Sequence, residues 1–278
     1  MSTSIQDSAM LVSLNISQWT ARKHDKSVSS EVDQAHGAKD AGRYNKLLIR
    51  KEALEPMDKI ASAARTYLYK MTLAWSDNGD RLLPAALFVD EFAPTMQKFR
   101  NDFDREVRNF VAEYPALVQE ARVRLGTLYD PADYPTDVRD RFVFRPPSVM
   151  PVADANDFRV NLGNEYVDQI KADIRNQMAE RQNDALKQVW TRVRKVVVKM
   201  VEQLGDEKGR IFDSVISNAR DLIDILPALN LSGDQELNDI ATELQSILVP
   251  PDRLRQDKRL RADTASKAED ILKKLPWA

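Results

Sequence analysis

The chain has no cysteine, so disulfides, thiolate metal sites and thiol nucleophiles are excluded together, and the composition fits a reducing compartment. Its two histidines, His24 and His36, form neither an H-E-x-x-H motif nor an i, i+4 pair. Imidazole is the usual general base near neutral pH and the commonest zinc ligand, and it is poorly supplied here. Glycine is scarce, eight in 278 residues, and the eight build no G-x-G-x-x-G or G-x-x-x-x-G-K-[ST] phosphate loop. No serine sits in a G-x-S-x-G elbow. Long apolar runs are missing as well: residues 10–16 are interrupted by Ser13 and Asn15 and are too short for a signal h-region or a membrane span. The expectation is a cytoplasmic protein of the host cell with no membrane partner. Neither charge sign dominates, with 43 acidic against 41 basic residues. The whole molecule therefore lacks a field that would draw in nucleic acid, and any such contact must come from a local patch.

Amphipathic periodicity is abundant. The residues Phe88, Phe92, Met96, Phe99, Phe103, Val107, Phe110, Tyr114, Leu117, Ala121 and Leu125 follow one another at intervals of three or four, which puts them on one side of a helix. At about 1.5 Å per residue that helix is roughly 55 Å long. Pro94 and Pro115 lie on its path and predict kinks or short breaks, and Gly126 is placed to end it. A second stripe of matching length runs from Val167 through Ile170, Ile174, Met178, Leu186, Val189, Val193, Val197 and Met200 to Leu204. An antiparallel pair of these two helices is the simplest mutual cover. An earlier helical pattern occupies residues 43–75, with Pro56 inside it, and the turn-forming run Ser76-Asp77-Asn78-Gly79-Asp80 follows.

Strand signals are few. Val12, Leu14 and Ile16 alternate with polar residues, and their natural partners are the short alternating runs Phe142-Val143-Phe144 and residues 158–162. Residues 20–42 read as a loop or a loosely docked helix. Towards the C-terminus, helices are expected over 211–226, from a capping box at Ser232 and Gln235 to Ile247, and over 252–275. The fold class expected is mainly α: an elongated, antiparallel, coiled-coil-like long-helix bundle with a small β element. Residues 1–205, including a β insertion at 141–163, form the core, and residues 206–278 form a helical subdomain.

Four features could carry function. Lys187, Arg192, Arg194, Lys195 and Lys199 occur on one helix without an acidic residue among them. Trp190 stands in their midst, an arrangement able to track phosphates while an indole stacks on a base. The alternative places Trp190 in the core beside Val189, Val193 and Val197, with the cations as a solvated edge. A second basic run, from Arg253 to Arg261, is diluted by aspartates. The carboxylate pairs Asp137/Asp140 and Asp154/Asp157 could hold Mg²⁺ or share a proton, although Asp beside Pro, Asn and Thr is commonly turn chemistry. The long apolar stripes can also serve as a self-association seam.

Three phrases carry a family resemblance. They are Leu11-Val12-Ser13-Leu14-Asn15-Ile16-Ser17-Gln18-Trp19, Leu125-Gly126-Thr127-Leu128-Tyr129-Asp130 running into Asp133-Tyr134-Pro135, and Pro151-Val152 leading to Asp157-Phe158-Arg159-Val160. Across roughly the first 165 residues the chain resembles an uncharacterised family of phage and mobile-element proteins, helical and without an assigned activity. Genes of that family often lie near recombination, replication or ATPase modules. The resemblance implies an accessory role near phage DNA metabolism and supplies no catalytic residue, cofactor or metal. The expected function is therefore non-enzymatic: a scaffold or inhibitor-type protein that binds a protein partner or itself, with nucleic-acid binding in recombination or replication as the alternative.

Overall fold

The computed structural model describes residues 4–158, 164–206 and 209–276. Its helices in chain order are α1 (Ile5–Ser8), α2 (Lys26–Ala35), α3 (Lys51–Met71), α4 (Ala93–Leu125), α5 (Asn164–Gly205), α6 (Asp213–Leu229), α7 (Gln235–Ile247), α8 (Pro251–Gln256) and α9 (Lys258–Lys274). The strands are β1 (Ala9–Ser13), β2 (Ile16–Ser17), β3 (Arg22–His24), β4 (Asn45–Leu47), β5 (Leu73–Ala74), β6 (Arg81–Pro84), β7 (Val143–Phe144) and β8 (Ser148–Pro151). The protein is mainly helical with a small β component, as its composition predicts. It divides into two compact units: residues up to 13, 71–92 and from 149 onward form unit one, and residues 14–70 with 93–148 form unit two.

Unit one is built on a sheet of order β5-β6-β1-β8. Strands β1 and β6 run antiparallel, with Ala9 opposite Pro84 and Val12 opposite Arg81. Leu73, Leu82 and Leu83 are buried there. The free edge of β5 is sealed by a side chain of α5. Gln188 accepts from the Ala74 amide at 2.7 Å and donates to the Ala74 carbonyl at 3.0 Å, standing in for a neighbouring strand. The buried residues of α5 run from Ala185 to Leu204, and its packing partners are α6 and α9. At the end of α5 the orphan carbonyls of the last turn need donors, and Arg261 of α9 supplies them. Its guanidinium donates to Leu204 at 3.0 Å, to Gln203 and Gly209 at 3.1 Å each, and also to Asp206. Asp234 and Asp257 cap α7 and α9 by accepting from amides in their first turns.

In unit two the aromatic stripe of α4 is covered locally. Phe103 meets Phe144 of β7 with ring centres 5.7 Å apart, Phe110 meets Phe142 at 5.3 Å, Tyr114 meets Trp19 edge-on at 6.0 Å, and Phe99 meets Tyr67 of α3 at 6.0 Å. Two short ribbons complete the unit, β2 with β7 and β3 with β4.

Several expectations change. The antiparallel pairing expected of the two long stripes is not what packs them within their units: α4 belongs to unit two and α5 to unit one, and each is packed by elements of its own unit. The chain divides elsewhere than at residue 205, because α6 and α9 complete the core around α5. The N-terminal strand is two strands, with only Ile16–Ser17 pairing with β7 as expected; β1 pairs instead with β6. The first long helix starts at Lys51 because residues 45–47 pair with β3, and residues 20–42 contain α2, capped by Asp25. Both α3 and α4 continue through Pro56 and Pro115. Asp234, not Ser232, caps α7. The expected run at 158–162 lies outside the described residues beyond Phe158.

Phe103 has no exposed surface. Truncating such a ring leaves a cavity, so Phe103→Ala is expected to lower unfolding free energy by about 3–5 kcal/mol in urea titrations, and a loss below about 1 kcal/mol would contradict this packing.

Candidate functional site

The basic stretch of α5 divides by helical phase. Trp190 is only 5% exposed and lies in the core with Val189, Val193 and Val197; it cannot stack on a base without leaving that core. Arg192 turns inward and donates to the Thr72 carbonyl, while Arg81 donates to the Thr72 hydroxyl at 2.6 Å and carbonyl at 3.3 Å. Burial, with Arg81 close by, pulls the Arg192 guanidinium down to about 10, which still leaves it charged at neutral pH. Lys187 is exposed and pairs with Asp184 at 3.0 Å. Lys195 and Lys199 are exposed and Arg194 is half-buried. The six residues therefore form no single phosphate-facing row.

The carboxylates serve local structure. Asp137 accepts from the Arg139 guanidinium at 2.7 and 3.0 Å and from its amide at 2.9 Å, and Arg139 holds that carboxyl down at about 2. Asp154 accepts from the Asn156 amide at 2.8 Å as a cap. Asp137 and Asp140 belong to unit two, Asp154 and Asp157 to unit one. No group of three or more metal-ligating side chains occurs among the described residues. His24 lies 3.1 Å from the Ser29 hydroxyl, and His36 ends α2.

The most developed polar arrangement lies in unit two, around Lys46. Its side chain is 7% exposed, and its ammonium lies 2.7 Å from Asp133, 3.5 Å from Asp25 and 2.9 Å from the Leu128 carbonyl, to which it donates. A buried ammonium is tenable only with such partners. The same cluster ties the β3–β4 ribbon to the segment after α4: Arg124 donates to the Leu47 and Leu48 carbonyls at 2.7 and 3.1 Å, and the Tyr134 hydroxyl donates to Leu48 at 3.1 Å.

Beside this clamp opens a cleft of about 630 Å³, within the range of about 300–1,000 Å³ usual for ligand sites. Its apolar floor is Ile16, Trp19, Leu47, Ile49 and Leu54; its rim carries Arg22, Lys51 and Arg65 against Glu52, Glu55 and Asp58. Gln18 donates to Asp58 at 2.8 Å, and Arg65 donates to the Ile16 carbonyl at 3.1 Å. The chain leaves the cleft wall through Ala21, fully buried at φ +47°, a left-handed backbone that L-residues adopt at a cost and that clusters at binding sites. Behind the floor, Trp19 abuts Tyr114. The Tyr114 hydroxyl is buried and has no hydrogen-bond partner among the described residues, and burial pushes the phenol up to about 12.

Comparison with protein-family models, curated proteins and solved structures finds no match.

The sequence reading missed the clamp. Lys46 is one lysine in a run of short-range neutral character, and its carboxylates lie 21 residues before it and 87 after it in the chain. The one available signal was that Trp19, Asp133 and Tyr134 all fall in phrases that carry the family resemblance.

The clamp has a defined pH dependence. The Val28 amide, then Lys46, holds the Asp25 carboxyl below its ordinary value despite the opposing effect of burial; Asp133, then Asp25, raises the Lys46 ammonium. The Asp25 contribution is complete above its unfolded value of about 3.9 and is lost as pH falls through the lower folded one. The Lys46 contribution is complete below about 10.4 and is lost as pH rises through the higher folded value. Urea midpoints should therefore fall at both limbs, with Asp25→Asn flattening the acid limb and Lys46→Met the alkaline limb. Unchanged limbs in both variants would contradict the assignment.

Proposed function

We propose that this protein is a non-enzymatic accessory protein that acts by binding other protein chains, including its own copies, in the phage DNA metabolism that the family resemblance implies. The observation that carries the reading is the unit-two cleft: an apolar floor inside a rim of both charge signs is the composition of a protein-interaction patch, with its dry centre and polar border. The chain's buried ionisable groups support it further, since Lys46 and Arg192 are bound to carboxylates and carbonyls of the fold and are not presented to a substrate.

Self-association draws support from α5. Its stripe continues at Val167, Ile170, Ile174 and Met178, which are only half-buried while the same stripe is buried from Val189 onward. A half-exposed apolar seam on a long helix suits pairing with a second copy. The nucleic-acid alternative keeps Lys187, Lys195 and Lys199 but loses the stacking ring.

Light scattering on the purified chain is expected to give a mass above that of one chain, rising with concentration, and Ile174→Asp with Met178→Asp is expected to return it to one chain. A strict monomer at high concentration that also binds no protein would contradict the proposal. In a filter assay at about 50 mM salt, where phosphate contacts are strongest, little retention of single-stranded or duplex DNA is expected. Tight retention with a steep salt slope, abolished by Lys195→Glu with Lys199→Glu, would favour the alternative.

A further inference from the structure

We infer that the unit-two cleft is a docking site for an extended segment of a partner protein, held by main-chain pairing along residues 18–20 and by an acidic–apolar–basic pattern in the segment. The inference rests on the protein-interaction reading above and specifies its site and chemistry.

The main chain gives the first argument. Strand β2 ends at Ser17 and β3 begins at Arg22, and the backbone groups of Gln18, Trp19 and Thr20 make no hydrogen bond among the described residues. This stretch forms part of the cleft wall. An unpaired stretch between two paired strands, beside an apolar floor, is the arrangement that accepts an added strand: backbone pairing provides affinity and pockets for alternate side chains provide selectivity. On either side the stretch is anchored, by the Ile16 carbonyl accepting from Arg65 and by the Ala21 carbonyl accepting from the Leu48 amide at 2.8 Å. The left-handed turn at Ala21 then redirects the chain into β3.

Length and charge define the occupant. The cleft follows α3 from Lys51 to Arg65, about 21 Å of helix at about 1.5 Å per residue, which matches about six extended residues at about 3.3 Å each. Arg22 and Lys51 stand at the end where α3 begins, with Glu52 beside them, and with the positive end of the helix dipole they leave that end net positive, so an acidic side chain fits there. Glu55 and Asp58 lie one and two turns further on, where a basic side chain fits. Between these charges Trp19 and Leu54 offer the apolar surface for one anchoring side chain, as the central residue of an interface typically does. The cleft's charges cancel overall, which favours a segment carrying both signs over a polyanion or polycation.

The test uses the full-length protein and a displayed library of random dodecapeptides. Enriched peptides are expected to share an acidic, an apolar and a basic position in that order or its reverse. Binding of a synthesised winner should slow amide exchange at residues 18–20 by tenfold or more. Glu55→Lys, an exposed substitution that leaves the core intact, should weaken that peptide about tenfold, and exchanging the peptide's basic residue for glutamate should restore the loss. Trp19→Ala should abolish enrichment while the melting transition stays cooperative. If no peptide is enriched over the Trp19→Ala chain, or if winners protect amides elsewhere and ignore Glu55→Lys, the docking site is refuted. In the second of these cases the protein-interaction reading survives without this cleft, whereas absence of both peptide binding and self-association removes both.

Discussion

A lysine with almost no exposed surface constrains everything around it. Lys46, on strand β4, is held by Asp133, Asp25 and the Leu128 carbonyl, and these partners come from two other stretches: the cap of α2 supplies Asp25, and the segment after α4 supplies Leu128 and Asp133. Removing a charge from water costs several kcal/mol, on the order of what one compact domain has to spare, so the ribbon, the cap and the segment after α4 can meet only in the one arrangement that satisfies all of them. The cleft floor follows from this. Leu47 and Ile49 are the immediate neighbours of the clamped strand, and Arg22, which pairs with Leu47 in the ribbon register, is thereby placed on the cleft rim.

Elsewhere the same economy recurs with backbone carbonyls as the partners. Gln188 imitates a strand for Ala74, Arg261 gathers the last carbonyls of α5, Arg255 donates to Ile211 at 2.9 Å, and Arg192 reaches Thr72. Arginine suits this work because its planar fork offers five donors and does not lose its proton at neutral pH. Part of the basic character that reads from the sequence as a possible phosphate track, Arg192 on α5 with Arg255 and Arg261 of the second basic run, is thus engaged inside the fold. What remains in solvent on α5, chiefly the lysines at 187, 195 and 199, is what a helix needs to stay soluble on its outer face.

The helical content and the long apolar stripes were legible because a period of three to four residues survives any tertiary arrangement; Phe103, Phe110, Val193 and Met200 are all buried as that period requires. The pairing of the stripes was not legible, since periodicity states that a face must be covered and leaves open by what. Here α4 is covered by aromatic residues of β7 and by α3, and α5 by the C-terminal helices. Short strands were hardest. Residues 81–84 and 45–47 gain strand structure from partners distant in sequence, and their own residues, Leu82-Leu83-Pro84 and Asn45-Lys46-Leu47, carry no alternation to announce it. Of the candidate site, Trp19 was visible within a phrase of the family resemblance, while the clamp at Lys46 and the left-handed Ala21 depend on long-range geometry that no local pattern encodes.

The clamp is most directly tested by a double-mutant cycle on unfolding free energy with Lys46→Met, Asp133→Leu and both together. Each single change takes from a buried charge its nearest partner, leaving Lys46 with the more distant Asp25 or Asp133 with the more distant Lys23, and should cost about 3–5 kcal/mol, while the double change replaces the pair with apolar groups and should cost far less than the sum. Additive losses, with a coupling below about 0.5 kcal/mol, would show that the two residues do not hold each other and would contradict the account.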